Sequence, residues 1–336
     1  MLFDNARILI TGGTGSLGST LLRRLLLAEK GSPSRILIFS RDEAKQSALK
    51  SAYEMDPKLR DSFRERVRFQ IGDVRDYSSV KTAMREIDFV FNAAALKQVP
   101  SCEFFPSEAV STNIQGAENI VRAIEQQTTR PFPAHTVIGI STDKACKPVN
   151  VMGMTKAIQE RIFLSAGERC PQTRFICVRY GNVLASRGSV IPLFKEQIKS
   201  GGPVTVTTKD MTRFLLTLNQ AVDVIFSAAE HGQHGETYIP CISSARVMGV
   251  AHQLIGCRDI EIKITGVRPG EKTHEILVSE EELGRTFQRG RYLVINSLFS
   301  DAKIVPALTR EFSSQNVVMD DEALTCLLWD NGFIGD

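Results

Sequence analysis

The sequence predicts an α/β fold in which a doubly wound parallel sheet is joined by a smaller C-terminal α/β lobe. Three observations predict it. Short β-branched apolar runs alternate with longer helical patterns through the first half of the chain. A glycine-rich turn joins the first run to the first helix. After about Gly181 the segments become short and mixed, with a turn at Gly201-Gly202-Pro203. Strands that alternate with helices need crossover connections, and these cover both faces of a parallel sheet.

The elements follow in order. Arg7–Thr11 reads as the first strand, and a helix runs from about Ser16 to Glu29. Arg35–Ser40 is the second strand, and Val67–Ile71 the third, closed by the turn Gly72-Asp73. Phe89–Ala93 is the fourth, entered through Asp88; His135–Ser141 is the fifth and Phe175–Tyr180 the sixth. Asn219–Glu230 reads as a helix that returns to the first domain. Residues 1–181 are thus expected to form the dinucleotide-binding domain, joined by part of 215–235. Residues 182–336 form mainly the substrate-binding lobe.

Composition narrows the class. The chain has 336 residues, 43% hydrophobic, enough for a substantial core. A net charge of +3 without a long basic run argues against a nucleic-acid partner. The seven cysteines are scattered and form no CxxC pair, so neither a disulfide framework nor a metal site is read from them. The five histidines show no metal spacing either. No apolar run approaches the roughly 18 residues of a membrane span. The expectation is a soluble, cytoplasmic protein with free thiols.

Gly12, Thr14, Gly15, Ser16, Leu17 and Gly18 lie between the first strand and its helix, with the glycines spaced GxxGxxG. One glycine makes the tight turn, one admits the pyrophosphate, and one lets helix and strand pack closely. The helix N-terminus then offers unpaired N–H groups to the anion. Strand before, helix after and βαβ spacing agree, so the reading is a Rossmann fold for a nicotinamide dinucleotide. The second strand ends at Ser40 and Arg41, with Lys45 nearby, where an acidic residue would favour NAD. An arginine there suits the 2′-phosphate of NADP, although Asp42 follows one position late. Asp73 and Val74 are placed to meet the adenine, and Ala93 offers a small residue beside the cofactor.

The fifth strand runs into Ser141-Thr142-Asp143-Lys144, and Met152-Gly153-Met154-Thr155-Lys156 opens the next helix. These stretches resemble the extended short-chain dehydrogenase/reductase superfamily. That superfamily carries Ser or Thr after the fifth strand and then Tyr-x-x-x-Lys, one helical turn apart. Lys156 fits the lysine, which holds the nicotinamide ribose. Met152 stands in place of the tyrosine and cannot transfer a proton. Either the chain is a non-catalytic NADP-binding sensor, or its base lies elsewhere. Asp143 beside Lys144 supplies an acid and a base suited to an elimination.

Longer stretches carry a closer resemblance. They are Phe39-Ser40-Arg41-Asp42-Glu43, Asn92 through Pro100, Ser141 through Ala145, Arg179 through Val183, Ser186 through Pro192, Met211 through Phe214, and Arg268-Pro269-Gly270-Glu271-Lys272. Together they resemble the soluble UDP-N-acetylglucosamine 4,6-dehydratases, over nearly the whole chain through about Glu282. Some members of that branch look similar in keeping methionine where others have tyrosine. The resemblance implies Lys144 as the base at sugar C5, Asp143 as the acid at the C6 hydroxyl, and Thr142 as a hydroxyl at the C4 oxygen. It implies Lys97 between cofactor and substrate, with Asn182, Ser186 and Ile191 on the substrate side. Arg268 and Glu271 would hold the nucleotide diphosphate and ribose. Superfamily members commonly associate through helices flanking the sheet, so a homo-oligomer is expected.

The chemistry sets a further condition. A C5 proton becomes acidic only once C4 is a ketone. A lysine base must then be neutral, so its pKa should fall below the ordinary value of about 10.4. Burial and nearby positive charge, from Lys156 and an oxidised nicotinamide, would push it that way. A nucleotide-sugar 4-epimerase needs no C5 base, and Asp143-Lys144 argues against it. UDP or GDP as the nucleotide, and the outcome at C5, stay open at this stage.

Overall fold

The computed structural model describes residues 1–127, 134–184, 186 and 189–335. Arg187 and Gly188, inside one of the stretches above, lie outside the described residues. Six parallel strands form the first half: β1 (Arg7–Thr11), β2 (Arg35–Ser40), β3 (Val67–Ile71), β4 (Phe89–Asn92), β5 (Thr136–Ile140) and β6 (Arg174–Val178). Successive strand residues point to opposite faces, and here both faces are buried. In β1, Ile8 and Ile10 enter the core on one side and Leu9 the core on the other. In β2, Ile36 and Ile38 divide from Leu37 and Phe39 in the same way. That explains why these strands read as continuous apolar runs rather than alternating ones.

Element ends depart from expectation by a few residues. The first helix is Ser16–Leu26, three residues short of Glu29. Ala28 adopts a left-handed φ of 56°, which ends the helical path before that point. β4 stops at Asn92, and β5 and β6 begin or end one or two residues from the expected positions, where the ladders cease.

The second half supplies β7 (Asn182–Val183), β8 (Val204–Val206), β9 (Thr212–Leu216), β10 (Thr237–Pro240) and β11 (Ser244–Arg246). It continues with β12 (Ile262–Ile264), β13 (Ile276–Val278), β14 (Thr286–Arg289), β15 (Tyr292–Ile295) and β16 (Phe312–Ser313). The large sheet has nine strands in the order β14-β15-β10-β6-β5-β4-β1-β2-β3. Successive strands are added outward in one sense from β1 and in the other from β4, and this switch point opens the crevice where ligands of such sheets sit. The helix Leu218–His231 packs beside Ser16–Leu26, with Arg24 Nη1 donating to Asp223 Oδ1 at 2.7 Å.

Three further strands cross into the large sheet after residue 181. β10 lies parallel to β6, and the β14–β15 hairpin adds an antiparallel edge. Each of the three is four residues long. Runs that short carry no strong period in a sequence. The rest of the second half makes a three-stranded sheet β11-β9-β7 and the pairs β12-β8 and β13-β16. Its own core holds Ile191, Phe194, Val204, Val250 and Leu254. Among the described residues, no helix is long and apolar enough to cross a membrane.

Candidate functional site

The glycine loop is built for close approach. Gly12 has φ +65°, and a Cβ there would stand 2.8 Å from the backbone of Ala94 at the end of β4. A Cβ on Gly18 would stand 2.5 Å from Gly13 Cα, so the helix lies directly on the loop. Gly15 caps the helix without a side-chain hydrogen bond, which leaves the first N–H groups pointing into the crevice. A pyrophosphate fits such a cradle. Thr11 Oγ1 donates to Asn92 Oδ1 at 2.7 Å and accepts from Ala94 N at 3.2 Å, tying the two strand ends together.

A cleft of about 740 Å³ opens over these ends. Every residue expected at the cofactor lines it: Gly12, Thr14, Gly15, Ser16, Leu17, Gly18, Ser40, Arg41, Lys45, Asp73, Val74, Ala93, Lys97, Ser141 and Lys156. So do Thr142, Asp143, Lys144, Asn182, Ser186, Arg268 and Glu271. Ile191 does not: its side chain is buried in the core of the C-terminal lobe, on the helix Val190–Lys199. Val190 and Leu193 of that helix face the cleft instead.

At the adenine end, Gln46 fixes the close of β2, its amide donating to Ser40 O and Ser40 Oγ at 3.0 Å each. Arg41 is half exposed, with Nη1 3.7 Å from Asp73 Oδ2. Asp42 caps the next helix by accepting from Lys45 N at 3.0 Å. It also pairs with the Lys45 ammonium at 2.5 Å. Asp42 and Arg41 both line the cleft, Asp42 paired with Lys45 of its own helix and Arg41 near Asp73.

At the other end, Thr142 caps the short turn Asp143–Ala145. Its hydroxyl donates to Asp143 Oδ1 at 3.0 Å. Lys144 Nζ lies 3.1 Å from the same oxygen, 3.5 Å from Asn182 Oδ1 and 2.8 Å from Glu275 Oε1. Asp143 and Glu275 are both almost fully buried, and Asp143 Oδ2 and Glu275 Oε2 have no hydrogen-bond partner among the described residues. Burial, reinforced by Glu275, holds Asp143 above the ordinary carboxyl range against the pull of Lys144. The lysine goes the opposite way from expectation. Burial lowers its affinity for a proton, but Asp143 and Glu275 outweigh it and hold Lys144 above its ordinary value.

Lys156 behaves differently. Its Nζ donates to Ile140 O and to Gln159 Oε1 at 2.8 Å; among the described residues no carboxylate pairs with it, and Glu160 acts on it only weakly. Burial pushes it down to about 8. Ser141 also lines the cleft, with its Oγ donating to Glu160 Oε1 at 2.5 Å. Glu160 in turn belongs to a buried ion cluster with Arg179 and Glu282.

Three site residues escaped the sequence reading. Glu275 lies three positions beyond the Arg268–Lys272 stretch, and nothing in its spacing points to Lys144. Arg213 stood inside a quoted stretch without a role; its Nε is 3.8 Å from Glu275 Oε1. Asn150 caps the helix Val151–Ser165 and also donates from Nδ2 to Gly270 O at 2.7 Å, fastening the Arg268 loop to that helix.

This sheet order, glycine cradle and strand-end cluster define an extended short-chain dehydrogenase/reductase, an enzyme fold of the nucleotide-sugar-modifying kind. The chain belongs to the polysaccharide biosynthesis protein family, whose model matches residues 8–297. It is 43% identical over 330 residues to a protein of Rickettsia massiliae (strain Mtu5) named UDP-glucose 4-epimerase, covering 94% of this chain and 92% of that one. Among solved structures, Pen from Bacillus thuringiensis superposes with a TM-score of 0.89 at 34% identity, covering 99% of this chain and all of that one. DesIV of Streptomyces venezuelae, a dTDP-glucose 4,6-dehydratase with NAD and TYD bound, shares the fold at a TM-score of 0.68 and 20% identity, over 80% of this chain and 86% of its own.

Proposed function

We propose that the protein is a nucleotide-sugar 4,6-dehydratase that works on UDP-N-acetylglucosamine with NADP held in the cleft. The observation that carries this reading is the Asp143–Lys144 pair, an acid and a base on adjacent residues at the end of β5, facing the same cleft as the glycine cradle. The resemblance of the long motifs to 4,6-dehydratases supports it. Arg41 at the close of β2 supports NADP, because the guanidinium suits a 2′-phosphate and Asp42 is already occupied.

The nicotinamide supplies a reversible store for the hydride taken from C4 and later delivered to C6. The Thr142 hydroxyl takes the C4 hydroxyl proton as it passes its own to Asp143 Oδ1, 3.0 Å away, so that Asp143 holds the proton it later gives to the C6 oxygen. With C4 as a ketone, Lys144 Nζ removes the C5 proton. Asp143, which burial keeps inclined to hold its proton, protonates the C6 hydroxyl so that it leaves as water. The C5–H and C6–O bonds break, and a C5–C6 double bond forms. Lys144 then returns its proton to C5, and the hydride that the bound nicotinamide would supply at C6 completes a 4-keto-6-deoxy sugar. Arg268, presented by the loop that Asn150 fastens, offers a two-pronged donor to the diphosphate, and Glu271 an acceptor to the ribose.

A 4-epimerase is the second reading, favoured by the name of the Rickettsia relative. The two reactions differ at C5. UDP-N-acetylglucosamine incubated with the protein in deuterated water should yield a 4-keto-6-deoxy product with solvent deuterium at C5, read by NMR. A C4-inverted sugar with no deuterium at C5 would replace the dehydratase reading with the epimerase. GDP-N-acetylglucosamine run in parallel tests the nucleotide.

A further inference from the structure

The environment of Lys144 contains a carboxylate that the proposed reaction does not use. Glu275 precedes β13 in the C-terminal half, whereas Lys144 follows β5 in the N-terminal half. Glu275 is held rigidly: its N–H donates to Ser314 Oγ at 2.9 Å, and its carbonyl accepts from Ser314 N at 2.8 Å. Ser314 is itself fully buried and bonded to Thr212 Oγ1 at 2.7 Å. The side chain lines the cleft and places Oε1 2.8 Å from Lys144 Nζ.

Around the ammonium stand Asp143, Glu275, the Asn182 amide and, beyond Glu275, Arg213. Lys272 acts on Glu275 from behind, its Nζ donating to Cys146 O at 2.6 Å. Arg213 cannot neutralise Glu275 by a close fork. Its Nη1 is bonded to Thr212 O and Thr273 O, and its Nη2 to Lys272 O, which leaves only Nε at 3.8 Å. The close cation of Glu275 is Lys144. A pair made only to join two lobes would not need to sit in the cleft, with a second buried oxygen left without a partner.

We propose that Glu275 is a positioning residue that acts through Lys144, sharing its ammonium with Asp143 and thereby setting both where Nζ sits and when it can serve as a base. This rests on the dehydratase reading above. Two carboxylates on one lysine hold its proton, so the neutral base appears only at higher pH or when one carboxylate is itself neutralised. Asp143, biased towards its protonated form, is the member suited to that change.

The test follows Lys144 directly. Nζ titration is read by NMR on the purified protein labelled with 15Nζ-lysine, the signal assigned with Lys144→Met. C5 deuterium exchange is followed over the same pH range. In Glu275→Gln the Lys144 midpoint should fall by about one to two pH units, with Glu275→Asp in between. The rising limb of C5 exchange should move down with it, and the plateau rate should drop. Unfolding midpoints identify variants that fail to fold; Glu275→Asp then carries the measurement. A folded variant whose Lys144 midpoint and exchange limb both stay in place would overturn the proposal. Absence of C5 exchange in the unaltered protein, with the midpoint still moving on substitution, would overturn the dehydratase reading instead.

Discussion

Under the dehydratase reading, methionine at position 152 leaves the work of proton transfer to other residues. Met152 is buried against Cys102 and Ala109 and touches the cleft, where its thioether offers shape but no titratable proton. Tyr180 also lines the cleft, but burial pushes its phenol up, so it holds its proton and makes a poor base. On the same reading Lys156, pushed down to about 8, is kept for the cofactor, and proton transfer at the sugar falls to the hydroxyl of Thr142, the acid Asp143 and the amine Lys144. Removing the amine therefore removes the base. Lys144→Ala should slow C5 deuterium exchange by about 10²- to 10⁴-fold, the usual contribution of a positioned general base. Cofactor content should stay near that of the unaltered protein. Exchange within tenfold of the original would assign the base elsewhere. The charge of Lys144 is where residue-level inference went astray. Adjacent acid and amine were visible in the sequence, but the second carboxylate comes from more than a hundred residues away, and it joins Asp143 in outweighing burial.

At the scale of elements, the glycine loop shows why some features were legible and others were not. Gly12–Gly18 sits between a strand and a helix, and local spacing alone specifies it. The closeness of Gly12 to Ala94 is not local; it follows from β1 and β4 being neighbours in the sheet. Adding a methyl group at Gly12 would strain a left-handed backbone by about 1 kcal/mol. It would also drive a carbon into the Ala94 backbone at 2.8 Å, a contact that neither chain can relieve by a side-chain rotation. Gly12→Ala should therefore purify with much less bound dinucleotide than the unaltered protein, measured by extraction and mass spectrometry. The same extraction identifies NADP or NAD. Equal dinucleotide content in the two proteins would show that the loop does not set retention. The strands β10, β14 and β15 illustrate the opposite case. Their place is dictated by pairing with β6 and with one another, and four-residue runs do not announce their partners.

At the scale of the molecule, the two halves are joined by a buried cluster of ions. Arg179 directly follows β6 and is 4% exposed. It binds Glu160 of the helix Val151–Ser165 through Nη2 at 2.7 Å and Glu282 of the segment Glu280–Arg285 through Nη1 at 2.9 Å. Nη1 also donates to Leu277 O at 2.9 Å, so one guanidinium fastens β6, the helix bearing Lys156, and the strand that follows Glu275. Burial raises the pKa of Glu282, but Arg179 and the Ser279 N–H outweigh it, and the net direction is down. The sign of the linkage follows. A carboxyl bound more tightly as an anion in the folded state adds stability above its unfolded pKa of about 4.3. That stability is lost as pH falls through the lower folded value. Glu282→Gln removes it and leaves the buried guanidinium with a single carboxylate, so unfolding free energy at pH 7 should drop by about 3 kcal/mol. The difference between the two proteins in urea unfolding should be constant from pH 7 to about 5 and shrink steadily below about 4.3. A difference that grew as the solution was acidified would mean that Glu282 is not held as an anion by Arg179, and that the cluster does not join the halves in the way its geometry indicates.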